Sequence, residues 1–148
     1  MTTTKQGMSL PIYTYAELSA DEQRLVDAAI EASEKSYCPY SKFAVGAALL
    51  TREGKIFTGC NIENAAWATI CAERVAVTKA VSEGYLEFKA ISLYTVNKPG
   101  GWPCGVCRQY MREFGQEFPV LSVCDVTRSV QRLSLADLLP HSFGPESL

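Results

Sequence analysis

Two short stretches constrain this chain more than anything else in it: Cys71-Ala72-Glu73 and Pro103-Cys104-Gly105-Val106-Cys107. Between them they offer three thiols and one carboxylic acid. Cys104 and Cys107 are three positions apart, so on a helix their side chains share a face. Such a pair can chelate one metal ion, and a third thiol from a separate segment completes a set of three. Three protein ligands leave one position of a tetrahedral zinc ion open for water, the arrangement of a catalytic site rather than a closed structural one. Glu73, two residues after Cys71, is placed to handle protons at that water.

Both stretches fall at expected helix N-termini. Unpaired backbone N–H groups and the positive end of the dipole favour anions there, so the cysteines should ionise readily. Three thiolates on one zinc ion leave a net negative centre. Arg74, next to Glu73, is able to offset that charge by donating hydrogen bonds to sulfur. Taken alone, Arg74 is equally a solvated helix residue, and Glu73 a first-turn glutamate favoured by the dipole. The one histidine, His141, lies between Pro140 and Ser142 and reads as a solvated loop residue. A zinc site here must rely on thiolates.

A length of 148 residues points to one domain spanning 1–148. Hydrophobic residues make up 47% and charged residues 20%, which fits a packed core and argues against disorder. The net charge is -2, and no basic run appears of the kind that follows a phosphate backbone, so no nucleic-acid partner is expected. No apolar run approaches the ~20 residues that span a bilayer, and 1–11 lacks the order of a signal peptide. The expected compartment is the cytoplasm, where six cysteines mean reduced thiols or metal ligands. Cys38, Cys60 and Cys124, outside the two stretches, read as small buried hydrophobes.

Residues 1–15 look like a loose arm. Ser19 followed by Glu22 reads as a capping box opening a helix to about 36, with Leu25, Val26, Ala29 and Ile30 on one face. Apolar strands are expected over 43–51 and 55–62, joined at Glu53-Gly54 as a hairpin. A helix over 71–82, a strand over 88–96, a loop over 97–101 and a helix over 105–114 follow. A strand over 119–124, a short one over 131–133 and a last helix over 135–139 complete the chain. This succession implies an α/β fold: a three-layer α/β/α sandwich whose helices cover a mixed sheet of about five strands.

The pattern Cys-X-Glu followed by Pro-Cys-X-X-Cys is a zinc-deaminase signature. The likeness runs further. The chain resembles the small, homotetrameric, zinc-dependent cytidine deaminases in Tyr37-Cys38-Pro39-Tyr40-Ser41, Phe43-Ala44-Val45-Gly46-Ala47 and Gly59-Cys60-Asn61-Ile62-Glu63-Asn64-Ala65. It does so again in Cys71-Ala72-Glu73-Arg74, in Pro103 through Gln109, and in the tail Leu138-Leu139-Pro140 through Phe143-Gly144-Pro145. The resemblance implies one Zn²⁺ per chain on Cys71, Cys104 and Cys107, with Glu73 as the proton shuttle. It also implies that Asn61 and Glu63 hold the sugar hydroxyls, that Phe43 lines the base pocket, and that Ala72 offers its backbone N–H to the pyrimidine. Tyr40 and Phe143 are then expected to approach a neighbouring subunit's pocket. Taken alone, Asn61 and Glu63 would be turn residues and Phe43 a core residue. Two positions depart from the family pattern: Trp102 stands where a small hydroxyl residue is usual, and Trp67 where tyrosine is expected.

The expected activity is hydrolytic deamination of cytidine and 2'-deoxycytidine to the uridine forms, in pyrimidine salvage, by a cytoplasmic homotetramer. An alternative keeps the chemistry but takes an aminonucleoside antibiotic such as blasticidin S; the Asn61/Glu63 pair and the Phe143 tail favour ordinary nucleosides. Deamination within a polynucleotide is disfavoured by the acidic balance. A non-catalytic zinc-binding module would want four closed ligands, and only one Cys-X-X-Cys pair is present.

Overall fold

The structure is a computed structural model and describes residues 9–96, 100–124 and 126–148. Ser19 opens helix α1 (Ala20–Ser33): its hydroxyl accepts the Glu22 N–H, and the Glu22 carboxylate accepts the Ser19 N–H. The helix ends three residues before the expected point. Glu34, Lys35 and Ser36 each donate to the carbonyl three residues back, a tightened last turn that leads the chain into the Cys38-Pro39 corner.

Strands β1 (Val45–Thr51) and β2 (Ile56–Cys60) form the expected antiparallel hairpin. β3 (Phe88–Thr95) pairs antiparallel with the other edge of β1. β4 (Pro119–Val123) runs parallel to β3, and β5 (Val130–Ser134) closes antiparallel on β4. The spatial order is β2-β1-β3-β4-β5, a mixed sheet of five strands. Helix α2 (Ala72–Ser82) links β2 to β3. Helix α3 (Gly105–Arg112) lies in the crossover that a parallel β3–β4 pair requires, and α4 (Leu135–Leu138) follows β5.

Strand periodicity assigns the two faces. Ala47, Leu49, Ile91, Leu93 and Val120 point to one side, where Ala76, Val77, Cys107 and Met111 of α2 and α3 cover them. Ala48, Leu50, Ala90, Tyr94, Leu121 and Val123 point to the other, against Leu25, Val26 and Ala29 of α1. These are the three layers expected from the pattern of elements. Strand β1 begins two residues late because the Asn61 side chain takes the Val45 N–H and the Phe43 carbonyl, which a ladder partner would otherwise hold.

The N-terminal stretch expected to be loose lies partly outside the described residues, as do 97–99 of the expected loop. Tyr13 exchanges two backbone hydrogen bonds with Val130, so this end of the stretch is docked on the β5 edge. At the other terminus, α3 grips the tail. Arg108 Nη1 donates to the Leu138 carbonyl at 2.7 Å, Gln109 Nε2 to that of Phe143 at 3.0 Å, and Arg112 bonds Ser142 and Glu146. Cys38, Cys60 and Cys124 are half-buried rather than buried: Cys38 lies in the corner after α1, Cys60 ends the edge strand β2, and Cys124 lies just beyond the end of β4.

Two glycines set how closely helices approach the sheet. A Cβ on Gly46 would lie 1.9 Å from the Ala29 carbonyl oxygen of α1, and one on Gly59 2.3 Å from the Ala72 oxygen and 2.7 Å from the Ala76 nitrogen of α2. The second contact lies directly beneath the first turn of α2. Gly59→Ala should therefore lift that turn off β2 and cost about 1–3 kcal/mol, as overpacked sites do. Urea unfolding will show a lower midpoint, and zinc retention will weaken with it. Unchanged values for both would mean that the approach of α2 to β2 does not matter.

Candidate active site

α2 and α3 place their N-termini side by side against one sheet face. Cys71 is the N-cap of α2, Cys104 the N-cap of α3, and Cys107 sits in the first turn of α3. Neither N-cap thiol caps its own helix, which leaves the sulfurs to one another. The Cys71 and Cys104 Sγ atoms are 3.8 Å apart, and those of Cys104 and Cys107 are 3.6 Å apart. All three lie within 4.8 Å of one another. Zn–S bonds of about 2.3 Å at the tetrahedral angle put sulfurs roughly 3.8 Å apart, so this donor set fits a zinc ion at its existing spacing. Cys107 is buried and Cys104 exposed, which leaves the cluster open on one side.

Negative charge in this cluster settles first on Cys71. A hydrogen bond from the Cys107 thiol, helped by Arg74 and Cys104, draws the Cys71 pKa down to about 5 against the effect of burial. Cys107, donor of that bond, is pushed up. Arg74 Nη2 donates to the Thr69 carbonyl at 3.0 Å and lies 3.7 Å from Cys71 Sγ, and the thiolate raises the pKa of the guanidinium in return. Its Nε is buried without a hydrogen-bond partner among the described residues. That donor is available to a further thiolate.

Glu73 lies in the first turn of α2 and is only 4% exposed. Burial, reinforced by the Cys71 charge, raises its pKa to about 7. Its neighbour Ala72 is the first residue of the helix, where a backbone N–H has no partner within the helix. Ala72, Glu73, Cys71 and Cys104 all line a cavity of about 460 Å³. Phe43, Asn61 and Glu63 line the same cavity, so residues from the β1 approach, the β2 exit and two helix ends meet there.

Asn61 and Glu63 already have partners in the chain. Asn61 Oδ1 accepts the Val45 N–H at 2.9 Å, and Nδ2 donates to the Phe43 carbonyl at 2.7 Å. The Glu63 carboxylate accepts the Tyr40 N–H at 2.8 Å, the Ser41 N–H at 3.2 Å and the Ser41 hydroxyl. Both side chains therefore shape the 40–45 loop as well as facing the cavity, and each keeps hydrogen-bonding capacity to spare.

Tyr40 and Phe143 lie outside this cavity, 61% and 60% exposed. Trp102 forms part of the cavity wall, whereas Trp67 is 82% exposed. Sequence reasoning did not single out Leu93, Thr95 or Thr69 as lining residues. Leu93 and Thr95 are buried strand residues, which carry no local mark of facing a cavity rather than the core, and Thr69 lies in the irregular segment before α2, whose course the sequence pattern does not set.

Residues 19–122 match the family described as the cytidine and deoxycytidylate deaminase zinc-binding region. The chain belongs to this family. The cytidine deaminase of Sporosarcina psychrophila is 42% identical over 129 residues, covering 86% of this chain and 95% of that protein. The crystal structure of cytidine deaminase from Burkholderia pseudomallei superposes with a TM-score of 0.76 at 43% identity, over 85% of this chain and 100% of that one. The corresponding structure from Mycobacterium tuberculosis gives 0.73 at 37% identity, over 85% and 99%. The zinc-binding character of the deaminase family and the spacing of the three thiols agree on one metal ion. Among the described residues, no helix is long and apolar enough to cross a membrane.

Cys104→Ala should reduce the zinc content of the purified protein from about one ion per chain to a small fraction of that, since three ligands are the usual minimum of a catalytic site. Cys38→Ala should keep its zinc. Metal analysis of the two variants side by side checks this, and full retention in Cys104→Ala would remove that thiol from the ligand set.

Proposed function

We propose that this chain hydrolyses cytidine and 2'-deoxycytidine to uridine and 2'-deoxyuridine, consuming water and releasing ammonia. The observation that carries the reading is the cavity shared by two kinds of groups. Cys71, Cys104 and Glu73 face the same space as Phe43, Asn61 and Glu63. The first set suits metal and proton chemistry; the second suits a flat base and a sugar diol. Its volume of about 460 Å³ falls in the range of small-molecule sites. The names carried by the relatives point to the same substrate.

When bound, a zinc ion on Cys71, Cys104 and Cys107 lowers the pKa of its water from 15.7 toward about 7 and so supplies the nucleophile for C4 of the base. Glu73 would carry a proton from the attacking water to ring N3, then take the second proton from the new C4 hydroxyl and deliver it to the departing amine, so that two protons are taken and two delivered. Its burial suits the task, because a carboxyl group near pKa 7 can hold or release a proton at neutral pH. Arg74 offsets thiolate charge. Phe43 covers the ring, and the Ala72 N–H donates to the pyrimidine. Asn61 and Glu63 use their spare hydrogen-bonding positions on the sugar hydroxyls.

The exposed rings of Tyr40 and Phe143 favour a homotetramer in which they approach a neighbour's cavity. The setting we infer is pyrimidine salvage in the cytoplasm. Light scattering should give a mass near four chains of 16.2 kDa. A fully active monomer would contradict the assembly.

Ultraviolet absorbance tests the activity directly. Cytidine and 2'-deoxycytidine should be consumed far faster than cytosine, CMP, blasticidin S or single-stranded DNA. Comparable kcat/KM for cytidine and a cytosine-containing oligonucleotide would overturn the nucleoside reading. Glu73→Gln keeps the shape of the side chain but cannot shuttle a proton, so turnover should fall by at least about 10²-fold with zinc retained.

A further inference from the structure

The 38–43 loop carries Phe43 to the cavity through a backbone that side chains hold at Phe43 itself. Lys42 has φ 56, the left-handed conformation that a residue with a Cβ adopts unfavourably. Its N–H donates to the Cys38 carbonyl at 3.0 Å, closing a tight turn. The groups on either side of this residue are held by side chains. Asn61 Nδ2 takes the Phe43 carbonyl, and Ser41 Oγ accepts the Phe43 N–H at 3.0 Å. The peptide groups flanking the Phe43 Cα are thus both fixed, one from each direction.

Ser41 does more than accept. Its hydroxyl hydrogen is donated to Glu63 Oε1. A hydroxyl donates and accepts through one atom, so a single oxygen joins the Glu63 carboxylate to the Phe43 backbone. The Ser41 N–H also reaches Glu63, and the Tyr40 N–H completes three donors on one carboxylate. A carboxylate has about four acceptor positions, which leaves one for an incoming group. In keeping with this, the Glu63 pKa is lowered, first of all by the Ser41 hydroxyl, with the Lys42 charge acting in the same direction. Ser41 itself lines the cavity.

We infer that Ser41 is a positioning residue for the sugar side of this site: its hydroxyl ties the Glu63 carboxylate to the Phe43 backbone, so that both are set before substrate arrives. The inference rests on the proposed contact of Glu63 and Phe43 with a nucleoside. Without the hydroxyl, Glu63 loses one of its three donors and the Phe43 N–H loses its acceptor. The loop must then be ordered at the moment of binding, which weakens binding. Glu73 and the three cysteines stand on other elements and keep their geometry, so the chemical step is unaffected.

The test uses the zinc-loaded, full-length protein and steady-state kinetics with cytidine for S41A, S41T and E63A. S41A should raise KM roughly tenfold, the loss of one hydrogen bond to a charged group, with kcat essentially unchanged. S41T keeps a hydroxyl at the same position and should restore KM close to the wild-type value. Thermal melting of S41A should fall by no more than a few degrees, because the position is exposed and the bonds it makes hold a loop outside the core clusters. An unchanged KM in S41A, a fall in kcat alone, or a melting temperature well below wild type would each overturn the assignment. E63A separates this inference from the reading beneath it. If E63A raises KM and S41A does not, the role of Ser41 alone is wrong. If E63A leaves KM unchanged, the sugar contact fails and the role of Ser41 fails with it.

Discussion

Everything about this site depends on two helix N-termini being brought together on one face of a sheet. Each end presents unpaired N–H groups and the positive end of a dipole. Anions are favoured there, and the chain places thiols at the N-cap of α2, at the N-cap of α3 and in the first turn of α3, with the charge drawn first to Cys71. The convergence is steric before it is electrostatic. Gly59 lets α2 rest on the backbone of β2, and Ala72, Ala76 and Ala80 on the inward face keep the helix close along its length. Larger residues at these points would hold the helix ends apart, and the sulfurs could not share one ion.

The same convergence buries Glu73. A carboxyl group enclosed beside a thiolate is held toward its protonated form, whereas Glu63, in contact with three donors, is held toward its charged form. Two glutamates ten positions apart thus have opposite tendencies within one cavity. The environment alone sets this difference: one is enclosed in the first turn of α2 beside the Cys71 sulfur, and the other faces the N–H groups and hydroxyl of a turn.

Much of the fold was legible in the sequence because its signals are local. The Ser19–Glu22 capping pair, the Glu53-Gly54 hairpin turn and the short apolar runs of β1 and β3 each declare themselves within a few residues, and the five expected strands and four expected α-helices are found among the described residues, with α1 ending early and β1 starting late. The cysteine spacing pointed to the thiol cluster for the same reason. What escaped was long-range and made by side chains on backbone. The Ser41–Glu63 contact joins positions 22 apart, and Asn61 reaches back 16 positions to Val45 and 18 to Phe43. Such bonds leave no periodicity, and they account for the late start of β1. The docking of Tyr13 on β5 escaped for a related reason, since an edge strand accepts a partner on its hydrogen-bonding geometry and asks little of the partner's side chains.

The ligand separations have a consequence of another kind. Cys104 and Cys107 are neighbours on one helix turn, so an ion held between them closes almost no chain. Cys71 and Cys104 are 33 positions apart, with α2 and β3 between them. An ion bridging those two sulfurs is a cross-link, and the entropy that a cross-link removes from the unfolded chain grows with the loop it closes. With an ion bound by all three thiols, their parts would be unequal. The α3 pair would provide chelation, while Cys71 would staple the helix that carries Glu73 to the far side of a supersecondary unit, coupling the integrity of β3 to occupancy of the cluster.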